Sequence, residues 1–180
     1  MRVPVRVVLV GLPGAGKTTV GRLLAERLGW SFIDPDVEVE RGAGLDIAAI
    51  FREHGEPVFR ELERRAVDRA LTRERVVIAP GGGWAAQAGV WEDLPEGTAA
   101  VWLQVSSPEA IRRLEQDLVE RPLLAHGNMA ARLMRLEGER TLSYARAHLA
   151  VETDGSTPEA VAEQVAARLV SEYGIDGRSD

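Results

Sequence analysis

The 180-residue chain contains no cysteine, which excludes disulfide staples, thiolate metal sites and thiol nucleophiles together. Its 22 basic side chains include a single lysine, Lys17, so arginine carries every other fixed positive charge. The three histidines, His54, His126 and His148, match no metal-ligand spacing. Neither a zinc site nor a partnered histidine base is expected. No apolar run approaches the length of about 18 residues that a membrane span needs. The opening MRVPVRVVLV is too short, and too soon followed by glycine, for a secretory leader. A soluble, cytoplasmic protein is the expectation. The net charge of -6 argues against nonspecific binding to nucleic acid or an anionic membrane, although arginines can still gather around a small anion. No internal repeat or low-complexity linker divides the chain. Its length and 45% hydrophobic content suit one domain over residues 1–173, with residues 174–180 (GIDGRSD) expected to fray.

Apolar runs alternate with helical periodicity along the chain. Val5 to Val10 is a continuous β-branched run, as in a strand buried on both faces of a parallel sheet. Similar runs are Ser31 to Ile33, Arg75 to Ala79, Ala99 to Val105 and, more weakly, His148 to Glu152. Between them, Val20, Leu23, Leu24 and Leu28 share one helical face, as do Phe59, Leu62, Ala66 and Ala70, and later Val161, Val165 and Leu169. This alternation predicts a three-layer α/β domain with a mainly parallel sheet. The stretch Asp117 to Asn128, with its proline and glycine, is expected to be a mobile loop.

GLPGAGKT, residues 11–18, matches GxxxxGK[ST] and stands directly after the first buried strand and directly before an amphipathic helix. Gly11, Gly14 and Gly16 permit the turns that point backbone N–H groups inward, and the following helix adds its positive end. Gly14, Ala15, Gly16, Lys17, Thr18 and Thr19 are thus candidates for binding a nucleotide polyphosphate, with the Thr18 hydroxyl available to Mg²⁺. Here the lone lysine gains a reason: a compact ammonium on a flexible stem can follow a phosphoryl group in transfer, whereas arginine's planar fork suits a fixed angle. The plainer alternative is a glycine-rich turn that caps a helix beside a chance lysine.

In SFIDPD, Asp34 and Asp36 fall at the carboxyl end of the second strand, the edge where ligands sit in open α/β sheets. Two apart in an extended segment, both carboxylates can face the crevice; one could hold magnesium and the other accept a proton from an acceptor hydroxyl. Alternatively, Asp36 caps the helix that VEVE begins. Arg60 leaves the apolar face of FRELERR with Glu63 one turn on, and taken alone reads as a solvated charge. The triple glycine at 81–83 points to close approach of backbone to a ligand. The strand before it lacks the terminal aspartate of the second NTPase motif, which counts against a GTPase or motor and favours Asp34 as metal partner. Arg112, Arg113, Arg121 and Arg140, four residues before Tyr144, complete the charged candidates; Arg121 in a lid could offset charge on a transferring phosphoryl.

Together, GLPGAGKTTVGRLLAERLG, FIDPD, DIAAIFREHGEPVFRELE, the glycines at 81–83, RPLL from Arg121 and RTLSYARA from Arg140 resemble the shikimate kinase family, from about Val5 to Leu169. The resemblance implies a monomeric P-loop kinase with a five-stranded parallel sheet, a substrate-binding region near 36–62 and a lid near 114–128. It implies ATP-dependent phosphorylation of the shikimate 3-hydroxyl, in aromatic amino-acid (chorismate) biosynthesis. By similarity, Asp36, Arg60, the Gly81, Gly82 and Gly83 backbone and Arg140 hold shikimate, Arg121 contacts ATP from the lid, and Thr18 with Asp34 serves Mg²⁺. Glu63 is expected to pair with Arg60 and fix its rotamer.

Departures from the family pattern are also visible. Ala79-Pro80 precedes the glycines where a small polar residue or leucine is usual, and Trp84 follows where small residues are common, so bulk is expected to narrow the pocket. Asp154-Gly155-Ser156 stands where relatives often place an asparagine or arginine against adenine; Ser156 and Arg113 are the candidates there, Arg113 by stacking on the base. Another hydroxylated acid such as gluconate, or a nucleotide-binding module without transfer activity, are the competing readings. Trp30, Trp91 and Trp102, the stripe Met129, Leu133 and Leu136, and the pair Glu61 and Arg65 read as structural.

Overall fold

In the computed structural model, which describes residues 3–116 and 128–175, the apolar runs become five strands in one sheet. They are β1 (Arg6–Val10), β2 (Ser31–Ile33), β3 (Val76–Ile78), β4 (Thr98–Gln104) and β5 (Leu149–Glu152). All pairings are parallel, in the order β2-β3-β1-β4-β5, with Val8 opposite Ile78 on one side and Ala100 on the other. Val7, Val8 and Leu9 are fully buried, which is why their run is continuously apolar rather than alternating. Parallel pairing also aligns the carboxyl ends of all five strands along one edge.

The helices are α1 (Lys17–Leu28), α2 (Pro35–Ala43), α3 (Ile47–Leu71), α4 (Ser107–Gln116), α5 (Met129–Tyr144) and α6 (Pro158–Tyr173). Five begin with a side-chain cap: Asp34 accepts from Asp36 N at 3.1 Å, Asp46 from Ala49 N at 2.6 Å, Ser106 from Glu109 N at 3.4 Å, Asn128 from Ala131 N at 3.2 Å and Thr157 from Ala160 N at 3.2 Å. Helix α1 differs. It starts from left-handed Gly16 with no side-chain cap and no acidic residue in its first turn. Its opposite face buries Val20, Leu24, Ala25 and Leu28, each leucine contributing about 2 kcal/mol of burial.

Two hydrophobic clusters form. The main one takes in both faces of the sheet with α1, α6 and the last part of α3; the smaller gathers Val39, Ile50, Phe59 and Ala66 under α2 and α3. Helix α3 contributes to both, through Ile50, Phe59 and Ala66 to the smaller and through Val67, Ala70 and Leu71 to the main one, and its backbone is broken at Gly55 (φ 82, ψ 167). Pro57 follows, at the start of the second half, where its missing N–H costs little. The indole of Trp84 is 2% exposed and sits in the main cluster, so the expected narrowing of a pocket does not arise: the bulk goes inward. Trp30, Trp91 and Trp102 pack against the same cluster, as expected. Of the tail expected to fray from residue 174, Gly174 ends α6 in left-handed conformation and Ile175 returns into the core at 2% exposure; residues 176–180 lie outside the described residues. Of the lid expected near 114–128, residues 114–116 belong to α4 and Asn128 caps α5; residues 117–127 lie outside the described residues.

Candidate active site

Strands β2, β3 and β1 are neighbours, so the segments leaving their carboxyl ends meet within about 10 Å, two strand spacings. These segments are Asp34-Pro35-Asp36, the glycines at 81–83 and the loop 11–16. Gly11 (φ 148) must lack a side chain, since a β-carbon there would stand 2.5 Å from Leu103 O. Gly14 (φ 83) and Gly16 (φ 87) complete the turn in backbone conformations that glycine alone adopts readily. The loop therefore delivers the uncapped N–H groups of α1 to its concave side, which is an anion cradle. Lys17 Nζ donates to Gly11 O at 2.9 Å and Leu12 O at 3.1 Å, holding the ammonium across that loop.

Thr18 Oγ1 donates to Asp34 Oδ2 at 3.1 Å, so the two sequence candidates for a metal touch. A hydroxyl and one carboxylate are hard oxygen donors, too few for a closed protein cage. They fit Mg²⁺, which retains water and binds phosphate oxygens. No group of three or more His, Asp or Glu side chains with metal-binding geometry occurs among the described residues. The helix cap in this segment is Asp34, not Asp36: Pro35 already opens α2, so Asp36 lies in a helical first turn rather than an extended strand. It nevertheless turns into the crevice. Its Oδ1 is buried without a hydrogen-bond partner among the described residues, and its pKa is pushed from 3.8 up to about 7. Burial is the main cause, followed by the negative charges of Glu63 and Asp34; Lys17 and Arg60 pull the other way.

The glycines at 81–83 form the floor on which the charged groups converge. A β-carbon on Gly81 would overlap Glu63 Oε1 and stand 3.6 Å from Asp36 Oδ1. On Gly83 it would lie 2.6 Å from Arg60 Cζ, and on Gly82 it would lie 3.0 Å from Gly11 O and 3.4 Å from an Arg140 terminal nitrogen. Arg60, Arg140 and the phosphate loop thus share one crevice. The close approach that the glycines permit is made by the protein's own side chains. Glu63, 0% exposed, accepts from Arg60 at 2.8 Å and from Gln87 Nε2 at 3.0 Å. Burial pushes the Glu63 carboxyl up, and the neighbouring charges of Arg60, Arg140 and Lys17 draw it back down. Arg60 is not a solvated charge: its other edge donates to Glu56. Arg140 is 8% exposed, one turn before Tyr144, whose hydroxyl donates to Gly82 O at 2.5 Å.

On the far side of the phosphate loop, Arg113 donates to Glu109, to Gly14 O at 3.3 Å, and to Thr153 Oγ1 and O at 3.1 and 2.7 Å. Its guanidinium edges are occupied, which leaves the flat face for a ligand. Ser156 lies in the exposed turn after β5, three residues beyond Thr153. Arg112 pairs with Glu109 at the surface, and Arg121 lies outside the described residues. Three polar partners went unselected in the sequence: Glu56, Gln87 and the Tyr144 hydroxyl. Glu56, four residues before Arg60, carries a helix-spacing signal. Gln87 carries none, since it meets Glu63 across a loop. Two surface hollows, between α1 and α6 and beneath the sheet near Trp91 and His148, lie away from this crevice.

The family model described as shikimate kinase matches residues 13–170. The shikimate kinase of Moorella thermoacetica is 45% identical over 163 residues, 90% of this chain and 92% of that protein. Among solved structures, the shikimate kinase from Acinetobacter baumannii in complex with shikimate superposes with a TM-score of 0.88 at 35% identity, covering 96% of each chain. A gluconokinase from Sinorhizobium meliloti reaches a TM-score of 0.64 over 97% of this chain and 96% of that one, but at 20% identity the likeness extends to the fold alone. A family match over residues 13–170, together with relatives so similar across nearly their whole length, means that the chain belongs to the shikimate kinase family.

Proposed function

We propose that the chain transfers the γ-phosphoryl group of ATP to the 3-hydroxyl of shikimate, giving shikimate 3-phosphate and ADP. The observation that carries the reading is the meeting of Arg60, Arg140 and Asp36 with the phosphate loop across the glycines at 81–83. Shikimate is a small carboxylate bearing hydroxyls. Arg60 and Arg140 hold its carboxylate, and the Gly81, Gly82 and Gly83 backbone lies against its ring. The 3-hydroxyl then meets Asp36, a placement supported by its buried Oδ1, which lacks a hydrogen-bond partner among the described residues. With a pKa of about 7, Asp36 is poised to take the hydroxyl proton as the oxygen attacks phosphorus.

Residues Gly14 to Thr19 cradle the polyphosphate, Arg113 offers its flat face to the base, and Ser156 lies beside it. Lys17 moves from the Gly11 and Leu12 carbonyls onto the phosphoryl group, and Arg121 joins it from the segment before α5. Thr18 and Asp34 would hold Mg²⁺, which supplies charge neutralisation for the β- and γ-phosphates. Catalysis is then positioning and electrostatics, with little covalent work for the protein. The reading extends to a monomer in the cytoplasm; static light scattering at working concentration tests the first part.

The test of activity is release of ADP in the presence of shikimate or gluconate. Turnover is expected with shikimate at sub-millimolar concentration and not with gluconate. ADP release that no metabolite accelerates would refute transfer, and preference for gluconate would refute the acceptor.

A further inference from the structure

Arg60 has two carboxylate partners, and they differ in kind. Glu63 is fully buried and is also fixed by Gln87. Glu56 is half exposed, with a side chain 48% accessible. Among the described residues it bonds nothing but Arg60. Its Oε1 accepts from both Nε at 3.2 Å and a terminal nitrogen at 2.9 Å, so it occupies the edge of the guanidinium suited to forked recognition of a carboxylate.

We infer that Glu56 is an internal stand-in for the acceptor's carboxylate, occupying the Nε edge of Arg60 until the acceptor displaces it. The inference rests on the reading that Arg60 binds that carboxylate. Three observations support it. Glu56 is half exposed and holds Arg60 through one oxygen alone, so displacement by a carboxylate also held by Arg140 is feasible. Glu56 sits between the backbone break at Gly55 and Pro57, so it can swing aside without unwinding a helix. The exchange also keeps the largely buried guanidinium continuously paired on that edge, avoiding the cost of an unpaired buried charge. Selectivity follows, because an uncharged analogue cannot replace Glu56 and must bind beside it.

Steady-state kinetics with shikimate and its methyl ester test this, the ester being measured as substrate or as competitive inhibitor. Glu56→Gln is expected to lower the KM for shikimate about two- to fivefold, the equivalent of a half-exposed ion pair, while the constants for the ester and for ATP stay put. An unchanged or raised shikimate KM would overturn the inference. Glu56→Ala provides a second variant, with thermal melts to establish that both fold. Arg60→Gln separates the two levels of the argument. If it leaves the shikimate KM unchanged, Arg60 does not bind the carboxylate and the inference falls with that reading. If it raises that KM while neither Glu56 variant lowers it, only the stand-in role is refuted.

Discussion

Replacing Asp36 with asparagine removes one ionisable group from a site that resists ionisation. The folded pKa of about 7 lies above the ordinary 3.8, so between those values the folded state holds a proton that the unfolded chain releases. The group therefore favours folding at low pH, and its contribution erodes as pH rises from about 4 to about 7. At 1.36 kcal/mol for each tenfold step, the accumulated penalty is about 2 kcal/mol at pH 5 and about 4 kcal/mol at pH 8. Asparagine keeps the shape and never ionises. Asp36→Asn should thus exceed the parent protein in stability at pH 8 by up to about 4 kcal/mol, on the order of 10 °C in Tm, with a smaller margin at pH 5. The same variant should lose about 10²- to 10⁴-fold in kcat, the usual contribution of a positioned base. Urea or thermal unfolding across pH 5 to 8, in EDTA and without nucleotide, gives the first quantity, and ADP release gives the second. A variant no more stable than the parent at pH 8, or a margin that does not grow with pH, would refute the argument that Asp36 is held against its charge.

Other substitutions read out separate parts of the site. Lys17→Arg should bind ATP yet lose about 10²-fold in kcat, because the fork cannot track the moving phosphoryl; wild-type turnover would refute that account. Arg140→Ala removes a buried cation facing the acceptor and should raise the shikimate KM by at least about 30-fold, with the ATP KM little changed; equal effects on both would argue for general disruption. Gly83→Ala places a methyl group 2.6 Å from Arg60 Cζ. It should cost about 1–3 kcal/mol in stability and raise the shikimate KM through displacement of Arg60, both measurable on one preparation.

The phosphate loop was legible because motif, buried strand and amphipathic helix coincide in one continuous stretch, and the chemistry depends on backbone that local sequence controls. Strand positions followed from runs such as Val7 to Val10, whose apolarity reflects burial on two faces. Asp34 and Asp36 were legible as a pair but not in their division of labour, since that depends on whether Pro35 continues the strand or opens a helix. The triple glycine at 81–83 predicts close approach of backbone to a ligand, whereas the atoms that approach it in the structure are those of Glu63, Arg60 and Arg140, from helices remote in sequence. Periodicity has no access to such contacts. For the same reason Arg60, taken alone, looked solvated. Gln87 was invisible, being defined by one hydrogen bond across 24 positions. The inward turn of Trp84 depends on space beneath the short turn that carries it, which no local pattern records.

Helix α1 lacks the side-chain lid that Asp46 gives α3 or Thr157 gives α6. A polyphosphate at its first turn would do for α1 what those residues do for the others, so the reactant doubles as a structural component. At a hundred times its dissociation constant such a ligand adds about 2.7 kcal/mol to the folded state. The lifetime of the chain against proteases would then follow the supply of nucleotide polyphosphate.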